Sequence, residues 1–204
     1  MRAEILAVGS ELLTPLRSDT NALWLTERLL ETGIEVAART TVADDAALLA
    51  SAFRAALARA DVVLATGGLG PTEDDLTREA AAEALDRGLR RQPELLAQLE
   101  ARFARYGRVM SPVNAKQADL IDGARALPNA RGSAPGQLVE DGARLLALLP
   151  GPPGEMQPMF LEQVLPVLRQ RSGGTLLRTR VLKIASLAES EVDACLAPLY
   201  KTFS

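Results

Sequence analysis

The sequence predicts an α/β protein: a three-layer α/β/α fold on a mostly parallel sheet, followed by the start of a small α+β second domain. Three observations carry this. Short apolar runs alternate with helical stripes in the order β-α-β-α-β-α-α, which suits parallel strands joined by crossover helices. The runs Val62–Ala65 and Leu145–Leu149 are apolar throughout, as strands covered on both faces are. Each ends in a glycine-rich loop, the feature that marks a ligand edge in open α/β sheets. The expected division is residues 1–171 for the main domain and 172–204 for a linker plus the first strand and helix of the second.

Composition narrows the chemistry. With 204 residues and 48% apolar content the chain can bury a full core. Acids exceed bases by 26 to 23, which gives no electrostatic footprint for nucleic acid. No apolar run reaches the length of a membrane span, and MRAEILAVGSELL begins directly in a strand-like run, so a cytoplasmic protein without a membrane partner is expected. Histidine is absent, which removes Ser-His-Asp and Cys-His catalysis and His-ligated zinc from the candidate chemistries. The single cysteine, Cys195, falls on a helical stripe with Val192, Leu196 and Leu199 and reads as core.

Taken in order, Ala3–Val8 reads as a buried strand ending in Gly9-Ser10-Glu11, which places an acid at a strand's C-terminal end. Glu11 is a candidate site residue there, or a solvated loop acid. Ser18–Asn21 supplies cap and turn residues for a helix with Leu23, Leu25, Leu29 and Leu30, closed by Gly33. A second strand runs to about Val42, and Asp44 and Asp45 follow it. Either can cap the helix defined by Leu49, Phe53 and Ala56, or line the crevice.

The organising stretch is ADVVLATGGLGPTEDDLT, residues 60–77. Gly67, Gly68 and Gly70 permit a tight loop whose amides approach an anion, and a helix starting near Leu76 directs its positive end there. Glu73, Asp74 and Asp75 conflict with a bare phosphate, since like charges about 4 Å apart repel by roughly 4 kcal/mol at an effective dielectric near 20. A divalent cation resolves the conflict. With oxygen ligands this means Mg²⁺ or Mn²⁺, with Co²⁺ also possible.

Beyond it, Thr77–Leu85 reads as a helix ended by Gly88, and Pro93 opens another with Leu96, Leu99 and Phe103 on its apolar face. Asn114, Lys116 and Gln117 occupy a short polar segment, where Lys116 is a solvated lysine unless it faces the acids and phosphates. Pro128–Gly136 is a turn-rich loop, suited either to a ligand or to plain turn chemistry, and a hairpin with Asp141-Gly142 at its tip follows. The strand Leu145–Leu149 stops at Pro150-Gly151-Pro152, placing Gly151 at the same edge as Gly9 and Gly67 if the strands are parallel. Glu155–Leu165 reads as a helix, Ser172–Gly174 as a linker and Leu176–Ile184 as a strand. Ser186-x-x-Glu189 is a possible capping box.

The motif ATGGLGPTEDDLT resembles the signature of the MoaB/Mog-type molybdopterin-binding fold. With GSELL, DTNALWLTERLLETGIEV, TVADD, NARGSAPG and LLPGPPGEM in order, the chain resembles the N-terminal domain of the competence/damage-inducible CinA proteins along essentially its whole length. Its tail resembles the beginning of that family's small middle domain, which in complete members leads into a nicotinamide mononucleotide deamidase domain. Gly154 stands where the family commonly has arginine or lysine, and Ala185-Ser186 where it has glycine.

The resemblance implies a homodimeric, metal-dependent ADP-ribose pyrophosphatase releasing AMP and ribose 5-phosphate. Asp75 and Asp44 match the family's functional acids, and Glu11 falls in its turn after the first strand. The expected site is therefore Asp75, Asp44 and Lys116 for chemistry and Glu11, Asp44 and Asp75 for the metal. Gly9, Ser10, Gly67, Gly68, Gly70, Thr72, Asn114, Pro135, Gly136 and Gly151 are expected to hold substrate. Nucleotidyl transfer to molybdopterin and a non-catalytic nucleotide-binding or dimerisation module are the rival readings. A Walker A loop is a weaker alternative still, since no Gly-Lys-Ser/Thr ending follows the glycines.

Overall fold

The computed structural model describes residues 1–173, 181–200 and 202. Its main sheet has six strands in the order β2-β1-β3-β8-β7-β6. These are β1 (Arg2–Val8), β2 (Glu35–Val42), β3 (Val62–Thr66), β6 (Arg125–Leu127), β7 (Gly136–Asp141) and β8 (Arg144–Leu149). The four strands from β2 to β8 are mutually parallel, and β7 runs antiparallel to both β8 and β6. The expected mostly parallel α/β sheet is what the chain forms.

Period-two alternation splits the central strands between two cores. Ala3, Ile5, Val62, Leu64, Leu145 and Ala147 face one side, where they meet helix α1 (Thr20–Glu31) and the helical run 153–171. Leu6, Val8, Val63, Ala65, Leu146 and Leu148 face the other, against α2 (Ala46–Arg59) and α3 (Thr77–Ala84). Glu4 is the charged exception inside β1. Its carboxylate is 2% exposed and accepts two hydrogen bonds from Arg59 at the end of α2, at 2.9 and 2.8 Å.

Because α1 leaves β1 toward one face and α2 returns to β3 on the other, the sheet changes winding direction between β1 and β3. Register places Ala7 opposite Thr66 and Thr66 opposite Leu149, so three parallel strands end side by side. Crevices form at such switch points because the connecting loops diverge to opposite faces.

Several details depart from expectation. Strands β4 (Leu89–Arg91) and β5 (Asp119–Ile121) form a separate antiparallel pair flanking α4 (Pro93–Arg105), and, like β6, at three residues they are too short for periodicity to reveal. The chain after α3 turns on Asp86, at φ 53°, rather than on Gly88. The helix expected over Glu155–Leu165 is a longer run: α5 (Pro153–Met159), a π-helical turn (Phe160–Val164) and α6 (Leu165–Arg171). Pro166 lacks the N–H an α-helix would need there, and the Leu165 N–H bonds to the Phe160 carbonyl five residues back.

The tail differs most. Residues 181–185 form no strand, while 176–180 of that expected strand, and Gly174 of the linker, lie outside the described residues. Helix α7 (Glu189–Tyr200) forms but buries none of its residues, so Cys195 is exposed rather than core. Its start is capped two positions beyond the expected box. Glu191 accepts from the Ala188 N–H at 2.8 Å, because Ser186, at φ 66°, still belongs to the preceding turn.

Leu64 sits fully buried at the centre of β3. Leu64→Ala should lower unfolding free energy by about 2–5 kcal/mol in urea titration. A loss under about 1 kcal/mol would contradict the central position of this strand.

Candidate functional site: a glycine-loop cleft at the sheet edge

The loop after β3 is shaped by what the backbone must avoid. Gly67 has φ 103°, and a Cβ there would stand 2.2 Å from the Val8 carbonyl oxygen, so only glycine lets the ends of β1 and β3 meet. Gly68 has φ 64°, and a Cβ would strike Thr77 Oγ1 at 2.2 Å. The Thr77 hydroxyl donates to the Gly67 carbonyl at 2.8 Å, and the Thr77 N–H to the Gly68 carbonyl at 3.2 Å, seating the loop on the first turn of α3.

Two cations hold four further carbonyls of the loop. Arg78, 1% exposed, donates from Nη1 to Leu69 O at 2.7 Å and from Nη2 to Gly70 O at 2.8 Å. Burial pulls its guanidinium below the ordinary arginine range, with Glu79, Asp75 and Asp119 acting against that pull. Lys116 donates to Thr72 O at 2.7 Å and Asp75 O at 2.9 Å. These carbonyls are thereby engaged within the fold, and the Gly68 N–H has no acceptor among the described residues.

Asp75 closes the loop from within. Oδ1 accepts from Gly70 N at 2.8 Å, and Oδ2 accepts from Thr72 N at 2.9 Å and from the Thr72 hydroxyl. The neighbouring Asp74 carboxyl is held below the usual range, chiefly by the Thr72 side chain and its own backbone amide, with Lys116 contributing. At the next strand end, Ser10 and Asp44 cap each other: Ser10 N–H donates to Asp44 Oδ2 at 2.7 Å, and Asp44 N–H to Ser10 Oγ at 3.0 Å.

A cleft of about 700 Å³ opens over these loops. Of the expected site residues, Gly9, Glu11, Asp44, Gly67, Gly68, Gly70, Asp75 and Gly151 line it. Ser10, Thr72 and Lys116 stand outside the lining and act on residues that do line it. Lys116, expected to meet a leaving phosphate, instead spends its donors on loop carbonyls. Asn114 lies in a 3-10 turn with its N–H on Ser111 O, and Pro135 and Gly136 are buried at the start of β7. Their loop still reaches the cleft through Ser133 and Ala134. Asn129 organises it, donating to Ala134 O at 2.9 Å and to Glu155 Oε2 at 2.7 Å.

Three contributors escaped the sequence reading. Asn21 donates to Thr66 Oγ1 at 3.0 Å and to Gly151 O at 2.6 Å, tying α1 to the ends of β3 and β8. Its place in a run of cap-forming residues disguised it. Arg78 carried no signal, since an arginine in the first turn of an amphipathic helix reads as solvated. Gln117 lines the cleft though it is 1% exposed.

The lining is acidic: Glu11, Asp19, Asp44, Asp74, Asp75 and Glu155 face one lining cation, Arg17. Among the described residues no three His, Cys, Asp or Glu side chains converge to hold an ion. Glu11, Asp44 and Asp75 share the cleft without forming a triad, and the Asp75 oxygens are occupied by the loop's own donors. A dedicated protein cage for a metal therefore does not fit. An Mg²⁺-type ion that arrives on a diphosphate needs one or two carboxylates, and that demand this cleft meets.

Arg78→Met keeps the volume and leaves two buried carbonyls unpaired. It should cost about 2 kcal/mol and raise amide exchange in residues 67–76 at least tenfold above that of β1, read by hydrogen exchange. Unchanged exchange in the loop would show that Arg78 does not hold it.

Residues 4–170 match the family model described as a probable molybdopterin binding domain. A CinA-like protein of Koribacter versatilis is 53% identical over 207 residues, covering 100% of this chain and 50% of the relative. A CinA-like protein of Solibacter usitatus is 49% identical over 203 residues, with 100% and 49% covered. The chain thus spans about half the length of the curated relatives it matches. Among solved structures, the protein CinA of unknown function from Thermoplasma acidophilum aligns with TM-score 0.73 and 34% identity, covering 78% of this chain and 94% of that one. The molybdopterin biosynthesis enzyme MoaB of Thermus aligns with TM-score 0.52 and 26% identity, covering 84% and 96%. Among the described residues no helix is long and apolar enough to cross a membrane. On this combined footing of sequence, fold and cleft, the chain belongs to the CinA family and carries its MoaB/Mog-like domain of the molybdopterin-binding type.

Proposed function

We propose that the cleft hydrolyses the diphosphate of ADP-ribose, releasing AMP and ribose 5-phosphate with the help of a divalent ion. The observation that carries this reading is the meeting of a rigid glycine loop with a carboxylate-rich wall at one sheet edge. Phosphoryl transfer to water is catalysed chiefly by positioning and charge neutralisation, and needs no histidine.

Each component has a place in the chain. The Gly68 amide and the edge of the loop give the diphosphate a seat whose carbonyls are engaged within the fold. Glu11 and Asp44 are the carboxylates best placed to hold an ion brought by the diphosphate, because Asp75 is committed to the loop. A bound Mg²⁺, Mn²⁺ or Co²⁺ would supply charge neutralisation on the phosphoryl oxygens. A water oxygen attacks one phosphorus, the bridging P–O bond breaks, and the departing phosphate keeps the bridging oxygen. Asp44 is placed to take the water's proton, with its orientation set by Ser10. Either phosphorus yields the same two products. A homodimer is part of this proposal, taken from the family resemblance.

Nucleotidyl transfer to molybdopterin is the second reading, favoured by the family's description as molybdopterin binding. Both reactions use a metal-borne polyphosphate, which the six lining acids and one lining cation suit, and release of AMP from ADP-ribose separates them.

The chain should release AMP from ADP-ribose with Mg²⁺, Mn²⁺ or Co²⁺ and not with a chelator, and Asp44→Asn should lower kcat about a hundredfold with little change in melting temperature. Adenylation of molybdopterin from ATP without AMP release from ADP-ribose would replace this reading with the second. Binding without turnover under every ion would make the domain a nucleotide-binding module.

A further inference from the structure

Two glutamines are buried in this domain, and they are treated differently. Gln137, 0% exposed, is fully used: Oε1 accepts from Ile121 N at 2.9 Å and Nε2 donates to Asp119 O at 2.9 Å. Gln117, 1% exposed, has no partner for Nε2 or Oε1 among the described residues. Buried amides are almost always paired, because an unmade hydrogen bond leaves the desolvation cost uncompensated. Gln137 joins strands. Gln117 lines the cleft, and nothing in the fold uses its side chain.

Its backbone is nonetheless firmly placed. The adjacent Lys116 is fastened to the carbonyls of Thr72 and Asp75, which fixes the 3-10 turn Pro112–Ala118 against the glycine loop. An amide held at fixed distance from a phosphate seat is in position to read whatever is attached to that phosphate. The other carboxamide in the lining, Asn21, cannot do this, since its Nδ2 is committed to Thr66 and Gly151. The lining carboxylates offer acceptors only. Gln117 alone among the lining residues keeps a carboxamide donor and acceptor side by side.

We propose that Gln117 is the base-reading residue of this cleft, pairing its amide with the amino donor and neighbouring ring-nitrogen acceptor of adenine. This rests on the nucleotide reading given above and names the part of the nucleotide that the acids and glycines do not explain. Both amide atoms are covered in the arrangement described, so the pairing requires a change of side-chain rotamer that turns them into the cleft. The unpaired state is a stability cost retained for binding.

Calorimetric titration, with Mg²⁺ present throughout, of the chain and of Gln117→Met with AMP, purine riboside 5′-monophosphate and ribose 5-phosphate tests this. The riboside analogue lacks the amino group, and ribose 5-phosphate lacks the base. The native chain should prefer AMP to the analogue about tenfold, as one good hydrogen bond allows. Gln117→Met should bring the two within twofold while ribose 5-phosphate binds as before. Its melting temperature should equal or exceed the native value, because two unpaired polar atoms are removed. A preference that survives the substitution, the absence of any preference in the native chain, or an equal loss of ribose 5-phosphate affinity would overturn the assignment while leaving the nucleotide reading intact. A fall in melting temperature, or failure to fold, would show that the amide serves the structure and overturn it likewise. If none of the three compounds binds the native chain, both readings fall together.

Discussion

The shape of the glycine loop depends on a buried arginine that takes two of its carbonyls. Arg78 sits one residue inside α3, and its two Nη atoms take the carbonyls of Leu69 and Gly70. A guanidinium suits the task because it stays charged where burial pulls against it and its planar fork meets two acceptors at once. Lys116 repeats the arrangement on Thr72 and Asp75 from another part of the chain. The glycines give the loop permission to take its shape, and these cations give it a reason to stay there.

The acids then divide into two sets. Asp75 is consumed in the loop's own hydrogen bonds, and its carboxylate is as structural as the arginine. Asp44 is steadied by a single pair of contacts with Ser10, and it and Glu11 line the cleft at the end of the adjacent strands. In the proposed reading, this acidic lining favours a diphosphate that brings a cation over a bare one.

The parallel sheet, the glycine loop and the three strand ends were legible because uniformly apolar runs, turn residues and helical stripes each left a distinct pattern. Glu11, Asp44 and Gly151 were locatable once the strands were known to be parallel. Arg78 and Asn21 were not, because their partners, three backbone carbonyls and the Thr66 hydroxyl, are contributed by other segments and leave no periodic pattern. The charge of Lys116 was legible, and the carbonyls of Thr72 and Asp75 that its ammonium meets were not. Cys195 and the α7 stripe show a limit of periodicity, which finds an apolar face without showing what covers it.

Amide chemical-shift mapping of the ¹⁵N-labelled chain with ADP-ribose and Mg²⁺ tests the central claim most directly. The largest shifts should fall at Gly9, Asp44, Gly67, Gly68, Gly70 and Gly151, in four loops that are distant in sequence and adjacent in space. Shifts concentrated on the exposed face of β2 or on α7, or no shifts at all, would contradict it.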